Sequence, residues 1–142
     1  MINVKFQGKR LDNSGWVHGD LIASSGRAWI RDKSDKYTNP RLIGDGVADF
    51  RCVEVNPATI GQYINLKDER GRGKEIFKGD IVRVTQACGE EYIGEVVWDE
   101  DRHAWAVDSN DQEELVEFAS IVHCEHWVEV IGNATDNPEL LK

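Results

Sequence analysis

The densest group of metal-ligand side chains in this chain is the run His123, Cys124, Glu125 and His126. If the run continues into a strand, successive side chains point to opposite faces, so only alternate members can converge and supply two ligands. A structural zinc site takes four ligands. The other candidates lie far away without paired spacing: Cys52, Cys88, His18 and His103. The pattern favours a strand edge with incidental histidines over a metal site, so no metal-binding residue is assigned.

Three consecutive carboxylates, Asp99 to Asp101, could serve calcium binding or acid/base catalysis. An EF-hand loop alternates oxygen ligands over about twelve residues around a central glycine. This segment lacks that pattern, and a hydrophilic hairpin tip is the preferred interpretation. Residues 68–73 contain two glycines but not the spacing of a phosphate loop.

The residues that nucleophilic catalysis needs are not arranged for it in the sequence. No Gly-x-Ser-x-Gly elbow is present, and neither Cys88 nor Cys124 has an activating context. We therefore expect no catalytic residues, no cofactor and no enzymatic activity.

Five tryptophans could form an aromatic ligand cage or a stacking surface: Trp16, Trp29, Trp98, Trp105 and Trp127. Each lies in a segment with strand character, where a tryptophan most often anchors a hydrophobic core. We predict that at least three of the five are core residues.

The elements that must position these side chains are short strands separated by polar turns. Val4 and Phe6 alternate with polar residues, and residues 16–22 resume the extended pattern after the turn at 13–15, which predicts a hairpin. Residues 32–40, which end in Asn-Pro, are predicted to form an exposed loop. Further strands are predicted at residues 28–30, 51–55, 59–64, 81–84, 92–98, 104–107 and 127–132. Strands at this spacing favour an all-β barrel or sandwich.

One helix is predicted near residues 111–122. Asp111 can cap it, and the next two acidic residues fall in its first turn, where they complement the helix dipole. Its apolar positions share one face: Leu115, Phe118, Ala119 and Val122. A short helical tail is also predicted from Pro138, a residue type suited to the first helical position.

At 142 residues the chain is long enough for one domain, or for two small ones that share a core. It has no apolar run of about 18 residues that could span a membrane, and its first residues lack the apolar segment of a signal peptide. Its three cysteines are odd in number and far apart, as expected for free thiols in a reducing compartment. We therefore expect no membrane association and a location in the cytoplasm of the cell.

Charged residues are distributed unevenly along the chain. Residues 1–83 carry 15 Lys and Arg against 11 Asp and Glu, whereas residues 84–142 carry 2 against 15, within a net charge of −9. A phosphate backbone is bound by clustered lysines and arginines. The acidic second part should therefore repel nucleic acid.

An ordered series of short motifs runs along the chain. Its main part extends from Ile60-Gly61-Gln62-Tyr63 through Leu66-Lys67-Asp68 to Gly73-Lys74-Glu75-Ile76-Phe77-Lys78-Gly79-Asp80-Ile81-Val82. Further motifs flank it: Gly8-Lys9-Arg10, Trp16-Val17, Gly94-Glu95-Val96, Val130-Ile131-Gly132-Asn133 and Asn137-Pro138-Glu139-Leu140-Leu141. In this order the motifs resemble the signature of the YopX family of phage and prophage proteins. The match covers essentially the whole chain. Two departures are a differently spaced turn at residues 69–73, and Ile64-Asn65 in place of the usual Thr-Gly.

The resemblance implies a mostly β protein of bacteriophage or prophage origin, in the cytoplasm of a bacterial host. It implies a small SH3-like barrel in the C-terminal half, packed with an N-terminal β-meander. We therefore predict an N-terminal β-rich part at residues 1–66 and an SH3-like barrel part with a C-terminal tail at residues 67–142, although the two could be one intertwined domain. The family has no established activity, so it supplies no catalytic or binding residues.

Three functions are consistent with this description. The first is a non-enzymatic accessory protein that binds a protein partner or itself as a homo-oligomer, because the chain is split into a mildly basic and a strongly acidic part. The second is nucleic-acid binding through a basic segment near Tyr63 and Phe77, comprising Lys67, Arg70, Arg72, Lys74, Lys78 and Arg83. The third is DNA mimicry, in which the acidic part binds a basic protein.

Overall fold

The computed structural model describes residues 4–32, 41–43, 46–48, 52–68 and 73–142. These residues form thirteen β-strands and one α-helix. The first seven strands are β1 (Phe6–Lys9), β2 (Trp16–Ser24), β3 (Arg27–Asp32), β4 (Arg41–Ile43), β5 (Gly46–Ala48), β6 (Cys52–Val55) and β7 (Gly61–Lys67). They are followed by β8 (Glu75–Phe77), β9 (Asp80–Thr85), β10 (Glu91–Asp99), β11 (Ala104–Asp108), β12 (Val116–Glu117), helix α1 (Phe118–His123) and β13 (Trp127–Asn133). Short 3-10 helices span Pro57–Thr59 and Pro138–Leu141.

The chain divides into two compact units, Met1–Tyr63 and Ile64–Lys142, and β7 runs across the boundary. In the first unit the antiparallel strands lie in the order β6-β3-β2-β1, and the start of β7 pairs with β1. Its core consists of Val17, Ala28, Ile30 and Val55. Strands β4 and β5 pair with each other. The predicted first hairpin is confirmed, with Phe6 opposite Gly19.

The second unit contains an antiparallel sheet in the order β12-β11-β10-β9-β13. Alternate residues of these strands face a core that also receives side chains from β7, β8 and α1: Ile64, Ile76, Val82, Val84, Tyr92, Val96, Val107, Phe118, Ile121 and Val128. The mostly β prediction is therefore confirmed. No closed barrel is seen in the described part of this unit, because β12 and β13 are the two edges of its sheet.

The corner before β9 depends on local backbone geometry. Gly79 has φ of +93°, a conformation that side chains with a Cβ rarely adopt. Its N–H donates to the carbonyl of Val96 at 2.9 Å, and Asp80 Oδ2 accepts the N–H of Phe77 at 2.8 Å. These contacts fix the direction in which β9 leaves the turn.

The predicted helix is displaced. It begins at Phe118 rather than near residue 111, because Val116 and Glu117 pair with Val107 and Ala106 as β12. Local propensity favours a helix at Val116 and Glu117, but hydrogen bonds to β11 hold both residues in a strand. The buried residues of α1 are Phe118 and Ile121, whereas Val122 is 55% exposed.

The prediction that at least three tryptophans are core residues is wrong. Trp98 and Trp127 are exposed and the other three are half-buried. The largest fully buried side chains are mainly isoleucines and valines. Because a tryptophan is so large, it is rarely enclosed completely, even where most of its surface is buried. Among the tryptophans, Trp105 packs against the core of the second unit from its margin.

Within the described ranges, no helix has the length and apolar character needed to cross a membrane. The predicted loop at residues 32–40 lies almost entirely outside the described residues.

Candidate functional site: an acidic groove in the second unit

Two adjoining cavities of about 610 and 330 Å³ form an open groove beside the β10–β11 hairpin. They share Arg102 and residues 112–115. Seven carboxylates and one guanidinium line them: Asp99, Asp101, Asp108, Asp111, Glu113, Glu114, Glu117 and Arg102. We call this set of residues the acidic groove.

The turn between β10 and β11 forms one wall of the acidic groove. Asp99 is only 7% exposed, and its Oδ1 accepts the backbone N–H groups of Asp101 at 3.0 Å and Arg102 at 3.3 Å. An aspartate that bonds to the backbone ahead of it is a common way to stabilise a tight turn. The carboxylate of Asp99 therefore shapes the turn, while Asp101 is exposed at its tip. The hairpin tip predicted for residues 99–101 is thus present.

The loop between β11 and β12, which Ser109 anchors, also lines the acidic groove. The Ser109 hydroxyl donates to the carbonyl of Ile93 at 2.6 Å and accepts the N–H of Asp111 at 3.2 Å. The N–H of Gln112 donates to the Ser109 carbonyl at 3.2 Å. These bonds tie the start of the loop to β10. They fix the point from which the chain continues to Glu113 and Glu114.

Arg102 neutralises only part of this negative charge. Its guanidinium lies 3.5 Å from Glu114 and 3.6 Å from Glu117, and its side chain is 49% exposed. Ion pairs of this length and exposure contribute little to stability. The groove therefore keeps a strong negative potential, which a neighbouring low-dielectric surface focuses.

A further pair of carboxylates lies on β10 and β11, where Glu95 and Asp108 are directly opposite. Like charges in this position repel each other. Partial burial and the charge of Asp108 raise the pKa of the Glu95 carboxyl, and Lys78 offsets part of that effect. Asp108 also lines the acidic groove, so the pair of Glu95 and Asp108 extends the negative charge of the groove along β10.

The structure does not place the metal-ligand run on a strand. His123 ends α1, Cys124 follows as its C-cap, and Glu125 has φ of +57°. The alternation argument therefore does not apply to these residues. No group of three or more His, Cys, Asp or Glu side chains in the described part of the chain could hold a metal ion. Cys88 and Cys124 are exposed free thiols.

The basic segment is only partly described, since Arg70 and Arg72 lie outside the described residues. Lys67, Lys74 and Lys78 are exposed. Arg83 is engaged by two carboxylates, with Glu129 at 3.0 Å and Glu91 at 3.3 Å. These pairs reduce the positive charge that this segment can offer to a phosphate backbone.

Sequence reasoning missed the groove as a site because its members come from two separate segments, 99–108 and 111–117. The signal that could have found it is the excess of acidic residues in the last 59 positions, where 15 carboxylates accompany two basic residues. Composition shows the charge, but the pairing of β10, β11 and β12 brings the two segments together.

A search of curated proteins found no match to the chain. The profile of the family described as YopX protein matches residues 5–142. That range covers nearly the whole chain and both units. The chain therefore belongs to the YopX family.

Proposed function

We propose that this protein is a non-enzymatic accessory protein of bacteriophage or prophage origin that binds a cationic segment of a protein partner through the acidic groove. The observation that carries the proposal is the composition of the groove, with seven carboxylates and one guanidinium. A basic nucleic-acid-binding protein is one such partner, for which the groove would mimic the charge of a phosphate backbone.

The charge imbalance of the groove supports an intermolecular role. The second unit carries eight Lys and Arg against nineteen Asp and Glu, a formal charge of −11. Concentrating like charges destabilises a folded domain through self-repulsion, and a cationic partner would relieve it. Complementary charge also accelerates association and selects against acidic partners.

Self-association is a second candidate, favoured by the opposite signs of the two units. The first unit carries nine Lys and Arg against seven Asp and Glu, a formal charge of +2, against −11 for the second. A head-to-tail contact between copies would place unlike surfaces together and could close into a ring. Light scattering across a salt series tests self-association, because a protein that is monomeric at every ionic strength would contradict it.

We also propose that the second unit is related to the SH3-like barrels, because its five antiparallel strands pack around one core with β7 and β8. Small barrels serve many unrelated functions, so this hypothesis does not carry the functional proposal.

The proposal is tested by affinity capture with two matched double variants. Glu113→Gln with Glu114→Gln removes two charges from the groove, and Glu90→Gln with Glu139→Gln removes two exposed charges elsewhere in the second unit. The tagged wild type and the control should retain the same basic protein from phage-carrying cells, and salt should elute it. The groove variant should retain much less.

Equal retention by both double variants would contradict a role for the groove. Capture of an acidic partner, insensitive to salt, would contradict the proposed chemistry. The control matters because both variants change the net charge equally, so a difference between them reports the position of the charge rather than its amount.

A further inference from the structure

The tip of the β10–β11 hairpin, residues 98–105, exposes a large aromatic surface. Trp98 is 41% exposed, and its ring meets that of Trp105 edge to face, with the ring centroids 5.0 Å apart. Trp105 packs against the core of the second unit. The partly buried ring thus holds the exposed one in position, and exposed tryptophans held in this way are frequent anchors of protein interfaces.

Two carboxylates follow the exposed ring closely in sequence, within the same hairpin turn. Glu100 and Asp101 follow Trp98 in the hairpin turn and both are exposed. The turn itself is held by Asp99 through backbone N–H groups. An aromatic face beside carboxylates attracts a cation by two effects, the quadrupole of the ring and direct charge pairing.

The same chain already shows how this combination holds an arginine. In the first unit the guanidinium carbon of Arg27 lies 5.1 Å from the centroid of the Trp29 ring. Two nitrogens of the same guanidinium donate to Glu54, at 2.9 and 2.6 Å. A planar guanidinium can stack and make two hydrogen bonds at once, whereas a lysine ammonium acts as a hydrated point charge.

We infer that the hairpin tip is an arginine anchor for the cationic partner. A partner arginine stacks on Trp98 and donates to Glu100 or Asp101, through the same two kinds of contact that Arg27 makes with Trp29 and Glu54. The inference rests on the proposed function, because it names the side chain by which the partner of the acidic groove is recognised. It predicts selection of arginine over lysine, which charge alone does not provide.

The test measures binding of fluorescent oligo-arginine and oligo-lysine peptides of equal length by anisotropy, at low and raised salt. Wild type should bind oligo-arginine more tightly than oligo-lysine. Trp98→Ala should weaken oligo-arginine binding by about three- to tenfold and leave oligo-lysine binding nearly unchanged. Trp127→Ala is the matched control, since Trp127 is 46% exposed but lies on β13. Trp98→Tyr keeps an aromatic face and should retain most of the preference, which covers the case of an alanine variant that folds poorly.

The outcomes separate the two proposals. Salt-dependent binding of both peptides with equal affinity, unaffected by Trp98→Ala, would overturn the arginine anchor and leave the groove as a cation-binding surface. Loss of the preference in Trp127→Ala as well as in Trp98→Ala would also overturn it. If neither peptide binds in a salt-dependent manner, the proposed function itself fails.

Discussion

Replacing Asp68 by alanine should be among the most destabilising single changes in the second unit. Asp68 follows the end of β7 and is 2% exposed. Its Oδ1 accepts the N–H of Lys74 at 2.8 Å, and its Oδ2 accepts the N–H of Val130 at 2.9 Å. One carboxylate therefore ties the β7–β8 connection to β13, a strand 62 residues further along the chain.

The magnitude follows from these two bonds. A hydrogen bond to a charged group contributes about 1.5 to 3 kcal/mol, and the donor left behind adds a desolvation penalty when it is buried. Lys74 is exposed and water can replace its bond, while Val130 is half-buried. We therefore expect Asp68→Ala to lower the free energy of unfolding by about 3 to 4 kcal/mol. Asp68→Asn should lower it less, because the amide keeps one acceptor oxygen.

The assay is urea unfolding followed by tryptophan fluorescence. A background carrying Trp16→Phe and Trp29→Phe confines the signal to the second unit, which matters because two units need not unfold together. With a denaturant slope of about 1.5 kcal/mol per molar urea, the expected loss moves the midpoint by about 2 M.

Removing any carboxylate also relieves repulsion in this acidic unit, so the control is Asp111→Ala, which removes one exposed charge. The reasoning is refuted if Asp68→Ala costs less than about 1 kcal/mol, or no more than Asp111→Ala. Either result would mean that the two N–H groups find equivalent partners without the Asp68 carboxylate.

Two further predictions concern backbone strain and charge. Asn65 has φ of +64° within β7, so Asn65→Ala should be less stable than Asn65→Gly by about 1 to 2 kcal/mol, as urea unfolding can measure. Equal stabilities would show that the strand relaxes at this position. The raised pKa of Glu95 means that the folded protein binds this proton more tightly than the unfolded chain does, so its contribution to stability is lost as pH rises above the ordinary value of 4.5. Glu95→Gln should therefore melt at a higher temperature than wild type at neutral pH, with an advantage that shrinks as the pH falls towards 4.5 and is gone below it; an advantage that stays constant with pH would contradict the raised pKa that burial and Asp108 give this carboxyl.

Much of the strand pattern could be predicted because it depends on neighbours in sequence. Extended segments rich in apolar residues marked β2, β9, β10 and β11, and the turns between them contain residues suited to tight bends. The αL conformation of Asn65 also has a local signal, since asparagine replaces a glycine that the family resemblance leads one to expect there, and these two residue types tolerate positive φ best.

The helix boundary and the positions of the tryptophans could not be predicted in the same way. The residues before Phe118 have a helical pattern, but pairing with β11 was available to them and satisfied their backbone groups as β12. Trp98 has the same strand context as the buried Val96, yet it lies beside the hairpin turn, where little covers it. In both cases the structure of the residue depends on which distant segments pack against it, and its sequence neighbours do not show this.

The amino-acid sequence by itself determined the fold class, the family and the separation of charge along the chain, because periodicity, turn chemistry and composition are properties of short segments. Only the tertiary structure decided which carboxylates act together. In the folded chain Asp68 is buried and bonded to β13, and Asp99 stabilises a turn. The other carboxylates of the acidic groove line the same cavities as Arg102. The physical reason is that burial, hydrogen-bond partners and local potential arise from strand pairing between distant segments, and identical side chains acquire different roles from it.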